Sequence, residues 1–290
     1  KDTVLSEISR LAKILSHYDP DTEINRWQLG QIPGHALSTE LRTVLERAEY
    51  WRDQTNGAFE VRVEHLLQLW KQAELNGRFP TAEQRHALLS TFSSAPYQLG
   101  PVNEAKAKPL VKISLNGLAK GYVLDQVCKR VRFKYPTLNN FLVNIGGDIR
   151  KLGDSAWYIN IENPFAPHQN AFPEIELRRP WSVATSGNYR RGFKIGNKLH
   201  SHIIDPRTGL PSTHISSASV LAPKGMDADA LATAFSVLPA SQSIQLAEAK
   251  TEIECLLILN DGTVITSSGW PGGNPTIGAA SSVHLLEPTT

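Results

Sequence analysis

Leu5, Ile8, Leu11 and Leu15 recur at helical spacing before Tyr18-Asp19-Pro20-Asp21 breaks the pattern, so the chain opens on a predicted amphipathic helix. A second helix is predicted over residues 41–54, stopped by Asn56-Gly57, a pair that enters left-handed backbone cheaply. Helical runs follow over 63–73 and 81–89, separated by Asn76-Gly77 and Pro80. After Pro101 the pattern shifts to short β-rich runs at 111–113, 141–145, 157–161 and 217–221, punctuated by Gly and Pro. Two helical patterns, 119–131 and 227–238, interrupt them. A last strand pair is predicted at 255–259 and 264–267, turned by Asn260-Asp261-Gly262. The fold class is α+β in one domain over 1–290. It has a helical front (about 1–100), a mixed sheet and helix part (about 101–270) and a loose Gly/Pro-rich tail (271–290).

Composition narrows the field. With 290 residues, 41% of them hydrophobic, the chain can bury a sizeable core. Thirty Lys and Arg stand against 28 Asp and Glu, a balance that argues against a nucleic-acid surface. Cys128 and Cys255 lie far apart without CxxC spacing and read as two unrelated thiols. No run approaches the ~20 apolar residues of a membrane-spanning helix. The opening KDTVLSEISR has neither an initiator Met nor a signal pattern, as expected of a processed or shortened chain.

Three segments carry candidate chemistry. In SLNGLAKGYVLD (114–125) a predicted strand ends at Asn116-Gly117 and a helix begins. Free N–H groups there suit phosphate, and Lys120 sits against the helix dipole, which an anion would explain. The same residues also fit an ordinary strand-to-helix turn with a solvated lysine. In MDADALATAF (226–235) Asp229 and Thr233 lie four apart and share a helix face, a hard-oxygen pair suited to Mg²⁺. Alternatively, Asp227 caps that helix and Thr233 is incidental. In HSHIIDPRTG (200–209) a strand carrying His202 runs into an Asp-Pro turn; His202 is a candidate general base, or the segment is only a turn. Asn144-Ile145-Gly146-Gly147-Asp148 reads as a hairpin, and Thr185-Ser186-Gly187-Asn188 as a phosphate-friendly loop or another turn.

In order along the chain, SLNGLAKGYVLD, LVNIGGDI, SVATSGNYRR, HIIDPRTGLP and DADALATA resemble the ApbE family of FAD:protein FMN transferases. Tyr50-Trp51 and the segment Asn56-Gly57-Ala58-Phe59-Glu60 resemble its flavin-contacting region, and the likeness runs from about Ser16 to the final strands. The resemblance implies two related halves of mixed or antiparallel sheet flanked by helices, with FAD, the substrate, bound between them. It implies Mg²⁺ held by the Gly117 carbonyl, Asp229 and Thr233. Lys120 would sit by the FAD pyrophosphate, and Ala58, Phe59, Glu60, Ser114, Thr185 and Ile203 would line the FAD site. His202 would be the base that deprotonates a Thr or Ser of an acceptor redox protein. It further implies a periplasmic or outer-face location with an upstream anchor.

Three departures from the family pattern stand out. The usual first strand with Met-Gly-Thr is missing, Ser114 replaces an Asp, and GAFE-Val-Arg-Val replaces GAFD-Pro-Thr-Val, which is expected to crowd the pocket. Two other activities use the same residues: an FAD pyrophosphatase releasing FMN and AMP, and a flavin-binding protein without turnover.

Overall fold

The computed structural model describes residues 1–99, 112–166, 174–188 and 191–272. The expected tail from residue 273 and Val111 of the run 111–113 lie outside them.

Helices fill the described chain as far as Leu89: α1 (Asp2–Leu15), α2 (Glu23–Gln28), α3 (Thr39–Gln54), α4 (Glu64–Asn76) and α5 (Ala82–Leu89). Their ends follow local chemistry. Ser38 Oγ accepts the Leu41 N–H at the start of α3, and Thr81 with Gln84 closes a capping box on α5. Gly77, at φ 63°, ends α4 in left-handed backbone. The run 111–113 predicts a strand that does not form at its described residues. The Ile113 N–H donates to Gln28 Oε1 at 2.7 Å and the Ser114 N–H to the Val61 carbonyl at 2.8 Å. With its N–H groups taken singly by a side chain and a loop, this segment joins no ladder. It leads irregularly into α6 (Ala119–Lys134).

The strands β1 (Phe141–Ile145), β2 (Asp148–Leu152), β5 (Ser182–Gly187), β10 (Ile215–Ala222), β11 (Glu254–Leu259) and β12 (Val264–Thr266) form one antiparallel sheet in that order. Gly146 and Gly147, at φ 60° and 95°, turn β1 into β2 as a two-residue hairpin requires. Three further strand pairs form: β3 (Trp157–Ile159) with β4 (Ile175–Leu177), β6 (Gly192–Ile195) with β7 (Lys198–Ser201), and β8 (Ile204–Asp205) with β9 (Leu210–Pro211). The stretch 182–187 is therefore a strand and not a loop, because its backbone pairs with β10.

Alternation sorts the sheet's side chains. Ala184, Ala218, Val220 and Leu257 join the helical core, while Val183, Leu221, Leu256 and Ile258 pack against Ile159, Ile175 and Leu177 of the β3–β4 pair. Covered on both faces, β10 is buried along its whole length.

Against the helical face lies α7 (Gly225–Phe235), followed by α8 (Ala240–Glu248). Alanines at 228, 230, 232 and 234 let it approach sheet and helices closely, and every residue of α7 except Thr233 is buried. Asp227 does not cap this helix, as the simpler reading of the sequence had it. It lies inside α7 and binds Arg47 (2.5 and 2.8 Å) and Trp51 Nε1 (2.8 Å), tying α3 to α7.

Where α6 crosses α7, Gly121 meets Gly225 so closely that a Cβ on Gly121 would stand 2.0 Å from the Gly225 carbonyl oxygen. Backbone cannot yield there as a side-chain tip would. Gly121→Ala is expected to cost about 3 kcal/mol or more, the upper end of overpacking penalties. Urea unfolding of the variant checks this; a midpoint equal to that of the parent would mean that the two helices separate freely.

Candidate active site

The first turn of α6 grips two carboxylates with successive residues. Lys120 Nζ lies 3.0 Å from Asp148 Oδ2, and the Gly121 N–H donates to Asp229 Oδ2 at 3.0 Å. Asp148 opens β2, directly after the diglycine turn. Its side chain is 3% exposed, and the backbone N–H of Thr185 donates to it. Although the lysine is close, Asp148 Oδ2 has no aligned hydrogen-bond donor. Burial, and then the charge of Asp148, pushes the Asp229 carboxyl up to about 7, with Lys120 and the Gly121 N–H pulling the other way. Burial likewise raises Asp148 against the opposing Lys120 ammonium.

Thr233 stands one turn beyond Asp229 on α7, its hydroxyl 3.5 Å from Ser186 Oγ. Gly117 packs into the same corner. A Cβ there would lie 3.3 Å from Thr233 Oγ1 and 3.1 Å from Phe59 Cε2. Segments far apart in sequence, around Phe59, Gly117, Asp148, Ser186 and Asp229, thus meet at the paired helices.

The Asp229 carboxylate and the Thr233 hydroxyl, with the Gly117 backbone packed against that corner, offer hard oxygens that fit a divalent cation. Among the described residues no group of three or more His, Cys, Asp or Glu is arranged to hold a metal, so such an ion would also draw on backbone and hydroxyl oxygens.

The other candidates fall into two groups. Ala58 and Phe59 are buried in the helical core, with the Phe59 N–H bonded to Thr55 Oγ1. Ser114 is buried, its hydroxyl 3.5 Å from His17 Nδ1. Thr185, by contrast, turns its hydroxyl to Ser219 Oγ (2.8 Å) on the face away from α7; its neighbour Ser186 faces Thr233. Only the Thr185 backbone reaches the site, through Asp148.

Glu60 does not crowd the corner. Its carboxylate is buried against Arg62 (2.7 Å) and Arg52 (2.9 Å), and Arg62 also donates to the carbonyls of Thr91, Phe92 and Ser94. The departures Glu60 and Arg62 answer each other as one buried ion pair.

His202 does not sit in a strand. It occupies a bend between β7 and β8, and its Nδ1 lies 3.0 Å from the Arg191 carbonyl. A carbonyl only accepts, so Nδ1 carries the proton and Nε2 is left as the basic nitrogen. Burial lowers the His202 pKa below 6.5. Ile203, next in the chain, is partly buried against the helical core. The β8–β9 pair that follows is tied to the end of α7 by Ser212 Oγ donating to the Ser236 carbonyl at 2.6 Å. His200 points elsewhere: it packs between Trp70 and Phe79 with a buried Nε2 that lacks a partner.

Two carboxylates, a lysine and a hydroxyl thus gather at a crossing of two helices, and relatives of this chain are transferases, the class of enzyme to which it belongs. The chain belongs to the ApbE family, whose pattern matches residues 1–257. It is similar to the FAD:protein FMN transferase of Haemophilus influenzae, with 32% identity over 270 residues, covering 88% of this chain and 77% of the relative. It is as similar to that of Vibrio cholerae, with 32% identity covering 89% and 79%. Among solved structures, the ApbE protein of Thermotoga maritima matches with a TM-score of 0.80 at 26% identity, covering 92% of this chain and 88% of that one. The flavin transferase ApbE from Vibrio cholerae matches with a TM-score of 0.72 at 28% identity, covering 92% and 89%.

Proposed function

We propose that this enzyme transfers FMN from FAD to a Thr or Ser hydroxyl of an acceptor redox protein, in a Mg²⁺-dependent reaction that releases AMP. The observation that carries the reading is the convergence of Gly117, Thr233, Asp229, Asp148 and Lys120 at the start of α6, a cation seat and an ammonium group side by side. A pyrophosphate needs both.

In the proposed reaction Gly117, Asp229 and Thr233 hold Mg²⁺, which when bound offsets the negative charge that grows on the phosphate oxygens. Lys120 binds the pyrophosphate as a point charge. Phe59, packed against Gly117, excludes water from that edge. His202 accepts the acceptor's hydroxyl proton at Nε2 as the hydroxyl oxygen attacks the FMN-side phosphorus. The bond from that phosphorus to the bridging oxygen breaks, and AMP leaves with the electron pair. The product is a phosphoester of FMN on the acceptor.

Incubation with FAD, Mg²⁺ and a flavin-free acceptor tests this, with products followed by in-gel flavin fluorescence and nucleotide chromatography. The expected result is fluorescent acceptor with one AMP per flavin attached. Free FMN with AMP would make the enzyme a pyrophosphatase, and intact FAD would make it a flavin-binding protein without turnover.

A further inference from the structure

The proposed reaction assigns no task to Asp148, yet its carboxylate is buried, and burial pulls it toward the neutral form. It is buried beside a second buried carboxylate, Asp229, and two successive residues of one helix turn contact the pair. One lysine serves both charges, so the corner carries a net charge of about −1 when both carboxylates are ionised. The oxygen nearest Lys120, Asp148 Oδ2, is buried, and its close partner is that half-exposed ammonium, 3.0 Å away.

The surroundings leave the lysine free to move. A Cβ on Gly146 would come only within 4.0 Å of Lys120 Cδ, and one on Gly147 would meet nothing within 4 Å. The Lys120 side chain is itself 37% exposed.

We propose that Asp148 is a further ligand of the divalent cation, and that the Lys120 ammonium occupies its oxygen until the cation displaces it. The inference rests on the cation seat described above. Displacement moves Lys120 toward solvent, where the pyrophosphate arrives, so filling the seat and freeing the anion contact are one event. Without the cation, Lys120 stays paired and an incoming pyrophosphate must compete with Asp148 for it.

Mn²⁺ titration of the flavin-free protein at neutral pH, read by the loss of the free-ion electron paramagnetic resonance signal, tests the idea without any turnover. Asp148→Asn is expected to weaken Mn²⁺ binding about 10-fold or more, since even outer-shell partners are commonly worth 10–100-fold. Lys120→Met is expected to bind Mn²⁺ more tightly than the parent, because the competing ammonium is gone. Should Asp148→Asn fail to fold by circular dichroism, Lys120→Met decides alone. Parent-like affinity in Asp148→Asn, or no tightening in Lys120→Met, overturns the proposal while leaving the seat at Asp229 standing. A parent protein that takes up no Mn²⁺ overturns both.

Discussion

Asp229→Ala is expected to reduce Mg²⁺-dependent FAD cleavage by more than ~10²-fold, since outer-shell partners of a metal already cost about 10–100-fold. The fold should survive. Asp229 gives α6 a single hydrogen bond, from the Gly121 N–H, and its buried charge stands against that of Asp148. The same residue makes a pH prediction whose sign runs opposite to the usual carboxylate. Burial and Asp148 raise Asp229 from 3.8 to about 7 in the folded protein, so the native state holds this proton where the unfolded chain has released it. Its contribution to stability is complete below about pH 4 and is lost as the pH rises toward about 7. Thermal melts in chelator should show the parent losing ground to Asp229→Asn across that window. Excess Mg²⁺ should restore the parent alone. Parallel melting curves for the two proteins would mean that Asp229 ionises as an ordinary surface carboxylate.

The elements that were legible in the sequence are those whose signals are local. The Asn-Gly and Gly-Gly turns and the apolar spacing give α3, α4 and the β1–β2 hairpin directly. The motif at 226–235 is a helix for the same reason, and its Asp229 and Thr233 share one side of it. The short β6 escaped because a four-residue strand has too few positions to show a period, and its stability comes from α4 packing against Phe193 and Ile195. The misread run at 111–113 has the β-branched residues of a strand, but Gln28 claims the Ile113 amide and Val61 that of Ser114 just beyond it.

At the site, Asp148 was visible only as the end of a Gly-Gly turn. Nothing nearby in sequence reveals that Lys120, from another element, is its partner. Glu60 and Arg62 show a different limit. Each alone departs from the family pattern, and only their 2.7 Å contact shows that the two changes form a single unit. A substitution that reads as crowding was already balanced two residues away.

His202→Asn is expected to slow flavin transfer by ~10²–10⁴-fold, the usual worth of a positioned general base. The choice of asparagine follows from the hydrogen bond. Its amide can still donate to the Arg191 carbonyl as Nδ1 does, so the bend between β7 and β8 keeps its tie, while the basic Nε2 is lost. FAD affinity should stay near that of the parent, because the role proposed for the imidazole is on the acceptor hydroxyl and not on the pyrophosphate. In the parent the transfer rate should fall on the acid side with a midpoint below 6.5, since burial lowers the His202 pKa and a protonated ring cannot act as a base. Adjacent His200 provides the contrast, though not as a mild control. Its ring packs edge-on to Phe79 with centroids 5.2 Å apart, so His200→Asn should lower the melting temperature. Folded His200→Asn should nevertheless transfer flavin with the parent's acid limb. The decisive comparison is therefore the pH–rate profile of each variant beside its FAD-binding isotherm and its melt. A His202→Asn protein that transfers flavin at the parent's rate would remove the imidazole from the reaction and leave it as the residue that anchors the bend to Arg191.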